Sequence, residues 1–244
     1  MYYSKDRQDV FLAKYVFPHL NNGFFVEIGA ANGIIASNTY YFEKEKNWQG
    51  ILIEPRKKTF MALKNNRKSI CINCAIAKEE EKALFLEASI LSGLVREYEK
   101  KHIQMIERRF IDRESEIQVY YVQLRNFMSI LSEYKINEIN LLSIDTEGGE
   151  LEILKSINYD KIKIEVIIAE DNYNDLKDLN SFLESKGFIL LFRLLNDGIF
   201  INKSILPNVI VNIEQKWDEF LLEFGNDNNK GQRLIERTIT GYQF

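Results

Sequence analysis

Hydrophobic positions along this chain gather into short continuous runs, and most of those runs end in an acid. Residues 24–33 (FFVEIGAANG) carry apolar and aromatic side chains into Glu27 and then a glycine-rich turn. Residues 51–54, 139–145 and 166–171 repeat the form, closing on Glu54, Asp145 and Glu170-Asp171, while residues 69–77 form a similar run interrupted by Asn73. Apolar runs bounded by turn residues are the signature of buried parallel strands. Between them the spacing turns helical. Residues 34–46 predict a first helix with Ser37 or Asn38 as its N-cap, and residues 59–66 predict a second. Leu151, Leu154 and Ile157 mark a helix after a tight turn at 146–150, and Leu176, Leu179, Phe182 and Leu183 mark another that Gly187 ends. Residues 188–194 and 198–202 predict an antiparallel pair joined at 196–198, where Asp197-Gly198 is a hairpin signal. Alternating strands and helices closed by such a pair predict an α/β fold with helices on both faces of the sheet.

The rest is less regular. Residues 1–22 predict a short helical lead-in. Within 78–137, residues 82–88 alternate like an edge strand, 94–110 are charged and helical, and 117–124 are strand-like. Phe127, Ile130, Leu131 and Tyr134 then make a helical stripe. This insertion either shapes a substrate site or covers the sheet. Residues 205–244 predict one amphipathic helix around 217–224 and then a polar stretch; that helix is a dimer face or packs on its own chain. With no linker long enough to separate two units, residues 1–244 read as a single domain.

Composition changes the picture modestly. Apolar residues are 45% and aromatics 12%, enough for a sizeable core, and the net charge of −4 gives no basic footprint for nucleic acid. Residues 55–70 hold six cations and no acid, which reads as a solvated helix face. Cys71 and Cys74 have a C-x-x-C spacing on a predicted strand; three apart, they point to opposite faces and should not chelate together. Two cysteines without a framework fit a reducing compartment. The N-terminus has no apolar leader and no apolar run approaches about 18 residues. The expectation is a soluble, cytoplasmic chain with no membrane insertion.

The chemistry gathers at the strand ends. Gly29 and Gly33 enclose Ala30, Ala31 and Asn32, small residues that let a ligand approach backbone. Glu54 after the next strand is placed to hold ribose hydroxyls. A dinucleotide site wants G-x-G-x-x-G, but the spacing here is G-x-x-x-G, and Glu27 would repel a pyrophosphate. A carboxylate there suits S-adenosylmethionine, which has a cationic amino-acid part and no phosphate. Ligands of open α/β sheets sit beyond the carboxyl ends of the strands, so Glu27, Glu54, Asp145 and Glu170-Asp171 would line one negative cleft that needs cations. Asp145, Glu170 and Asp171 would hold a divalent ion, or one of them acts as a general base, or Asp145 and Glu150 cap the following helix. Asn73 either caps a loop or meets the ligand.

These segments together resemble the FkbM family of S-adenosylmethionine-dependent methyltransferases. FVEIGAANG with SNTYYFE after it, GILIEP, NCAIA, LLSIDTEGGELEIL, VIIAED and DGIFINK lie in the family's order and cover about residues 24–203. The resemblance implies a class I methyltransferase (Rossmann-like) fold, seven-stranded and mostly parallel with the last strand antiparallel. It implies methylation of a hydroxyl on a sugar, glycan or glycosylated small molecule, as in polysaccharide biosynthesis. Glu27, Gly29, Ala30, Asn32 and Gly33, with Ser37, Asn38 and Thr39 of the same motif, would cradle the methionine part. Glu54 would take the ribose, with Pro55 and Arg56 beside it, and Asn73, Cys74 and Ala75 would lie near the adenine. Asp145 would approach the cofactor amine or the reacting oxygen. Related sugar O-methyltransferases bind magnesium through residues matching Asp145, Glu170 and Asp171, and their catalytic histidine falls at Gly148. That departure leaves Glu147, Glu150, His102 or a metal-bound alkoxide as the base. An RNA methyltransferase and a non-catalytic cofactor-binding module are the competing readings. The acceptor, the need for Mg2+ and the oligomeric state stay open at this level.

Overall fold

A computed structural model describes residues 1–98, 100–110, 117–171 and 176–224, residue 90 through its backbone alone. Eleven strands follow in chain order among these residues. They are β1 (Phe24–Ile28), β2 (Gln49–Ile53), β3 (Ile70–Ile72), β4 (Ala75–Ile76), β5 (Lys82–Glu87) and β6 (Gly93–Leu94), then β7 (Gln118–Arg125), β8 (Glu138–Ile144), β9 (Lys163–Glu170), β10 (Phe188–Leu194) and β11 (Asp197–Asn202). Seven of them form one sheet in the order β10-β11-β9-β8-β1-β2-β3. The pairs from β3 to β9 are parallel, and β11 is antiparallel to both its neighbours. This is the seven-stranded, last-strand-reversed sheet of a class I methyltransferase.

The continuous apolar runs explain the centre of that sheet. Ile51, Leu52 and Ile53 in β2, Leu141 and Leu142 in β8, and Val166 to Ala169 in β9 are all buried. Side chains alternate across the sheet, so Phe25, Leu52, Leu141 and Val166 pack in one cluster while Val26, Ile51, Ile53 and Leu142 pack in another. Nine helices flank these strands among the described residues. They are α1 (Gln8–Phe11), which runs into a π-helical turn at Leu12–Val16, α2 (Tyr40–Lys46), α3 (Lys57–Asn66), α4 (Lys100–Phe110), α5 (Phe127–Glu133), α6 (Glu150–Lys155), α7 (Lys177–Ser185), α8 (Leu206–Gln215) and α9 (Trp217–Phe224). Among the described residues the C-terminal region therefore holds two helices rather than one, and the polar stretch after 224 lies outside them. In α9, Phe220 and Phe224 pack edge-on against Phe11, Tyr15 and Phe192, so this helix packs on its own chain.

Several expectations give way. The run at 69–77 is not one strand: β3 stays in the main sheet, while β4 pairs parallel with β7 in a second sheet ordered β4-β7-β5-β6. Asn73 sits at the break; it is exposed, and its Nδ2 donates to the carbonyls of Glu54 and Pro55, so it holds a loop. β5 is internal to the second sheet, paired with β7 on one side and β6 on the other. The first helix begins at Tyr40, and Ser37 Oγ accepts from the amides of Thr39 and Tyr40. The hairpin turn is Leu195-Asn196, with Leu195 at φ +50°, and Asp197-Gly198 already belong to β11. Cys71 and Cys74 fall in opposite clusters with free thiols, and burial pushes Cys74 up to about 12.

Candidate functional site

The parallel strands β1, β2, β8 and β9 end together, and a cavity of about 420 Å³ opens beyond those ends. Gly29, Ala31 and Asn32 floor it, Ile53, Ile76 and Phe85 supply apolar wall, and Asp145, Thr146, Glu147 and Glu170 close one end. A concave, largely apolar site of this size with a few polar groups is what a nucleoside-sized ligand takes. The second sheet and its connections contribute Cys74, Ala75, Ser92, Leu94 and Glu97 to the opposite wall.

The glycine turn is built by strand crossing as much as by ligand access. Gly29 has φ +86°, and a Cβ there would overlap the carbonyl oxygen of Asp145. The amides of Gly29 and Ala30 donate to Ile53 O, and Asp145 N donates to Ile28 O, so the turn is stitched to β2 and β8 at once. Gly33, at φ +78°, makes room for Leu63 and Arg67. Arg67 was expected on a solvated face and is instead buried. Its Nη1 donates to Gly33 O at 2.8 Å, its Nη2 to Thr39 Oγ1 at 3.0 Å, and its Nε faces Glu43 Oε1 at 3.2 Å.

Glu27 belongs to that buried network. Its Oε1 accepts from Asn38 N at 3.0 Å, and its Oε2 accepts from Ser37 Oγ at 2.9 Å and Thr39 Oγ1 at 2.6 Å, with Arg67 Nη1 3.5 Å away. Glu27, Ser37 and Thr39 thus ballast the turn from behind and do not line the large cavity. Glu54 does line it. Its Oε2 accepts from Ala31 N at 2.8 Å, and its Oε1 accepts from the backbone N and Nε of Arg56, both at 2.9 Å. Arg56 Nη2 adds a long contact of 3.5 Å to Oε2, so of a carboxylate's about four acceptor positions this is the one a closer donor would take over. Pro55, Arg56, Cys74 and Ala75 share the wall with it, whereas Ala30, Gly33 and the exposed Asn73 stand outside.

Of the residues named as proton-handling groups, Asp145, Glu147, Glu170 and His102 converge. Carboxylate oxygens of Asp145, Glu147 and Glu170 all lie within 4.8 Å of one another. His102 on α4 reaches them from the insertion, with Nδ1 3.9 Å from Glu147 Oε2. The ring stacks on Tyr98 at 4.2 Å, and its Nε2 faces Leu91 O at 3.0 Å. A proton on Nε2 satisfies that carbonyl and leaves Nδ1 turned toward the acids. Glu147 occupies a left-handed backbone position, φ +61°, which aims it out of a turn held by Glu150. Glu150 accepts from Thr146 N, Thr146 Oγ1 and Gly148 N. Asp171 does not join the cluster: its Oδ2 accepts from Leu176 N at the start of α7.

Crowded carboxylates in a deep cleft resist ionisation. Burial, then the charges of Asp145 and Glu150, push Glu147 up to about 8. Burial, then Glu147 and Asp197, push Glu170 up to about 7. Asp145 keeps accessible surface on the cavity wall yet is enclosed by protein; burial first and Glu170 second hold it well above the usual range, and the two share a hydrogen bond. Two further acids went unnoticed in the sequence. Burial raises Glu97, beside Gly149, to about 7 and Asp197 to about 6. Glu97 falls in the stretch 94–110 that reads as one charged helix, whereas it sits in a 3-10 turn and α4 begins at Lys100; Asp197 reads as a turn residue.

The model of the methyltransferase FkbM domain matches residues 27–190, about two thirds of the chain. The chain belongs to the FkbM methyltransferase family. Membership implies S-adenosylmethionine as methyl donor, and the cavity's size and polar rim fit such a group. A relative named Methyltransferase 1, from Beauveria bassiana (strain ARSEF 2860), is 24% identical over 191 residues, covering 71% of this chain and 75% of its own. Among solved structures, the methyltransferase FkbM of Methylobacillus flagellatus KT aligns over 78% of this chain at 14% identity with a TM-score of 0.47. The FkbM-family chain described here spans 47% of that protein. The N-terminal domain of human METTL16 aligns over 79% of this chain and 66% of its own at 12% identity, TM-score 0.41. No helix among the described residues is long and apolar enough to cross a membrane.

Proposed function

We propose that this family member methylates a hydroxyl of a sugar, glycan or sugar-bearing small molecule. One observation carries the reading: the nucleoside-sized cavity ends on Asp145, Glu147 and Glu170, so a donor site and a proton-accepting site meet at one wall. S-adenosylmethionine, when bound, supplies a methyl group already activated on a sulfonium. The chain then has to bind, align and remove one proton. Gly29 and Ala31 present backbone, Glu54 takes ribose hydroxyls at Oε2 in place of its long Arg56 Nη2 contact, and Ile53, Ile76 and Phe85 form the apolar walls. Glu147, poised near neutrality and faced by His102, is the base that takes the hydroxyl proton. The three clustered carboxylates also form an all-oxygen set of the kind that takes magnesium. Held there, the ion would lower the pKa of an acceptor hydroxyl. An acid-lined site in a chain of net charge −4 favours such an acceptor over RNA.

Calorimetric titration with S-adenosylhomocysteine, with and without magnesium, tests the reading. Native chain should bind, and Glu54→Ala should weaken binding at least tenfold. A flat titration of folded native chain would remove the donor site and the proposed function together.

A further inference from the structure

Behind the Asp145–Glu170 wall lies a second, smaller chamber of about 170 Å³. It shares Lys5, Ala36, Asp145 and Glu170 with the large cavity, so the two meet there. Its far side is the N-terminal segment with Asp6 and Gln8, and the β10–β11 turn with Asp197. Four of its lining side chains are carboxylic acids, and one, the exposed Lys5, is a cation. An acidic cluster by itself decides nothing, because such groups can stay protonated. Asn38 adds a separate fact. It lines this chamber and is 8% exposed, and its Nδ2 donates to Ser143 Oγ at 3.0 Å. Its Oδ1 is buried without a hydrogen-bond partner. An orphaned buried acceptor is costly and calls for a donor. The remaining polar groups here repeat that demand: Asp197 accepts from Gln8 Nε2 through one oxygen, and Asp145 and Glu170, which share one hydrogen bond, keep their other oxygens as acceptors. Acceptors on several sides, four carboxyl groups against one lysine, and a small volume describe the complement of one compact donor-rich cation.

We propose that this chamber is a subsite for a primary ammonium group carried by the methyl acceptor, bound between Asn38 Oδ1, Asp197 and Glu170. This deepens the proposed function and rests on it: the acceptor class becomes an amino sugar or amino alcohol. Anchored by its ammonium, such a molecule extends past Asp145 and Glu170 and presents a neighbouring hydroxyl to the larger cavity. The same charges that hold the ammonium repel carboxylated or phosphorylated acceptors.

The test uses 2-aminoethanol and 1,2-ethanediol, two probes of equal size that differ in one charged group. Each is titrated into the ¹⁵N-labelled full chain while the Asn38 side-chain amide and the Asp197 backbone amide are followed. S-adenosylhomocysteine is titrated separately and followed at Ala31. The ammonium probe should shift Asn38 and Asp197 saturably, at least tenfold more tightly than the diol, and Asp197→Asn should remove most of that preference. Equal responses to the two probes, or shifts that avoid Asn38 and Asp197, would overturn the subsite while leaving the donor site intact. Failure of S-adenosylhomocysteine to shift Ala31 would overturn the acceptor role of the chamber together with the parent reading.

Discussion

Glu147→Gln separates the stability of the acid cluster from its chemistry. The side chain keeps its shape and loses its charge. In the native fold Glu147 titrates at about 8, against an ordinary value of 4.5. The fold therefore holds a proton that the unfolded chain releases across that interval, and native stability falls as pH rises through it. Each pH unit of the difference is worth about 1.4 kcal/mol. At about pH 8.5 the full difference approaches 4–5 kcal/mol, and partial exposure with charge shared among Asp145 and Glu170 brings the expected gain of the variant to about 2–4 kcal/mol. At about pH 5 the gain should stay below about 1 kcal/mol. Urea denaturation of the chelator-treated protein at both pH values reads this directly. Methyl transfer by the variant should fall at least tenfold even where it is the more stable protein. Parallel stability–pH curves for native and variant chains would refute the account, since Glu147 would then not be a buried acid under charge pressure.

Gly29→Ala should destabilise the fold by at least about 3 kcal/mol in urea, because it needs both a left-handed backbone and the space of the Asp145 carbonyl. Glu27→Gln should cost about 2–3 kcal/mol by leaving the buried Arg67 with Glu43 as its ionic partner. Its folded fraction should bind S-adenosylhomocysteine as tightly as native chain, and a tenfold loss in calorimetry would instead put Glu27 on the cofactor amine. His102→Gln should slow turnover at least tenfold with unchanged cofactor affinity; a weakened Kd at constant kcat would place His102 in binding rather than proton transfer.

The strand ends were legible because a buried parallel strand needs an unbroken apolar run, and β1, β2, β8 and β9 each have one. The acids that close those runs were legible for the same reason. Where their side chains go was not. Glu27 turns to Arg67, forty residues on, and nothing local in a basic helix shows that its last arginine is buried. Asp171 and Glu147 exchange parts because a left-handed turn at Glu147 sends it inward, while Asp171 is drawn to the start of α7. The glycine at 29 reads as a ligand turn, yet its closest demand comes from Asp145, far away in sequence. The break at Asn73 was hidden because β3 and β4 are both apolar and differ only in the sheet they join.

That break divides labour within the protein. The cavity floor and Glu54 hang on the large sheet, while Cys74 to Ile76, Phe85 and Leu94 hang on the small one. The two walls are hydrogen-bonded to different frameworks that the chain joins at 73–74. Substitutions that reshape the small sheet therefore alter one wall of the cavity without disturbing the crossing of Gly29 and Asp145 that fixes its floor. The floor of the cavity and its opposite wall are thus two separately anchored parts of one site.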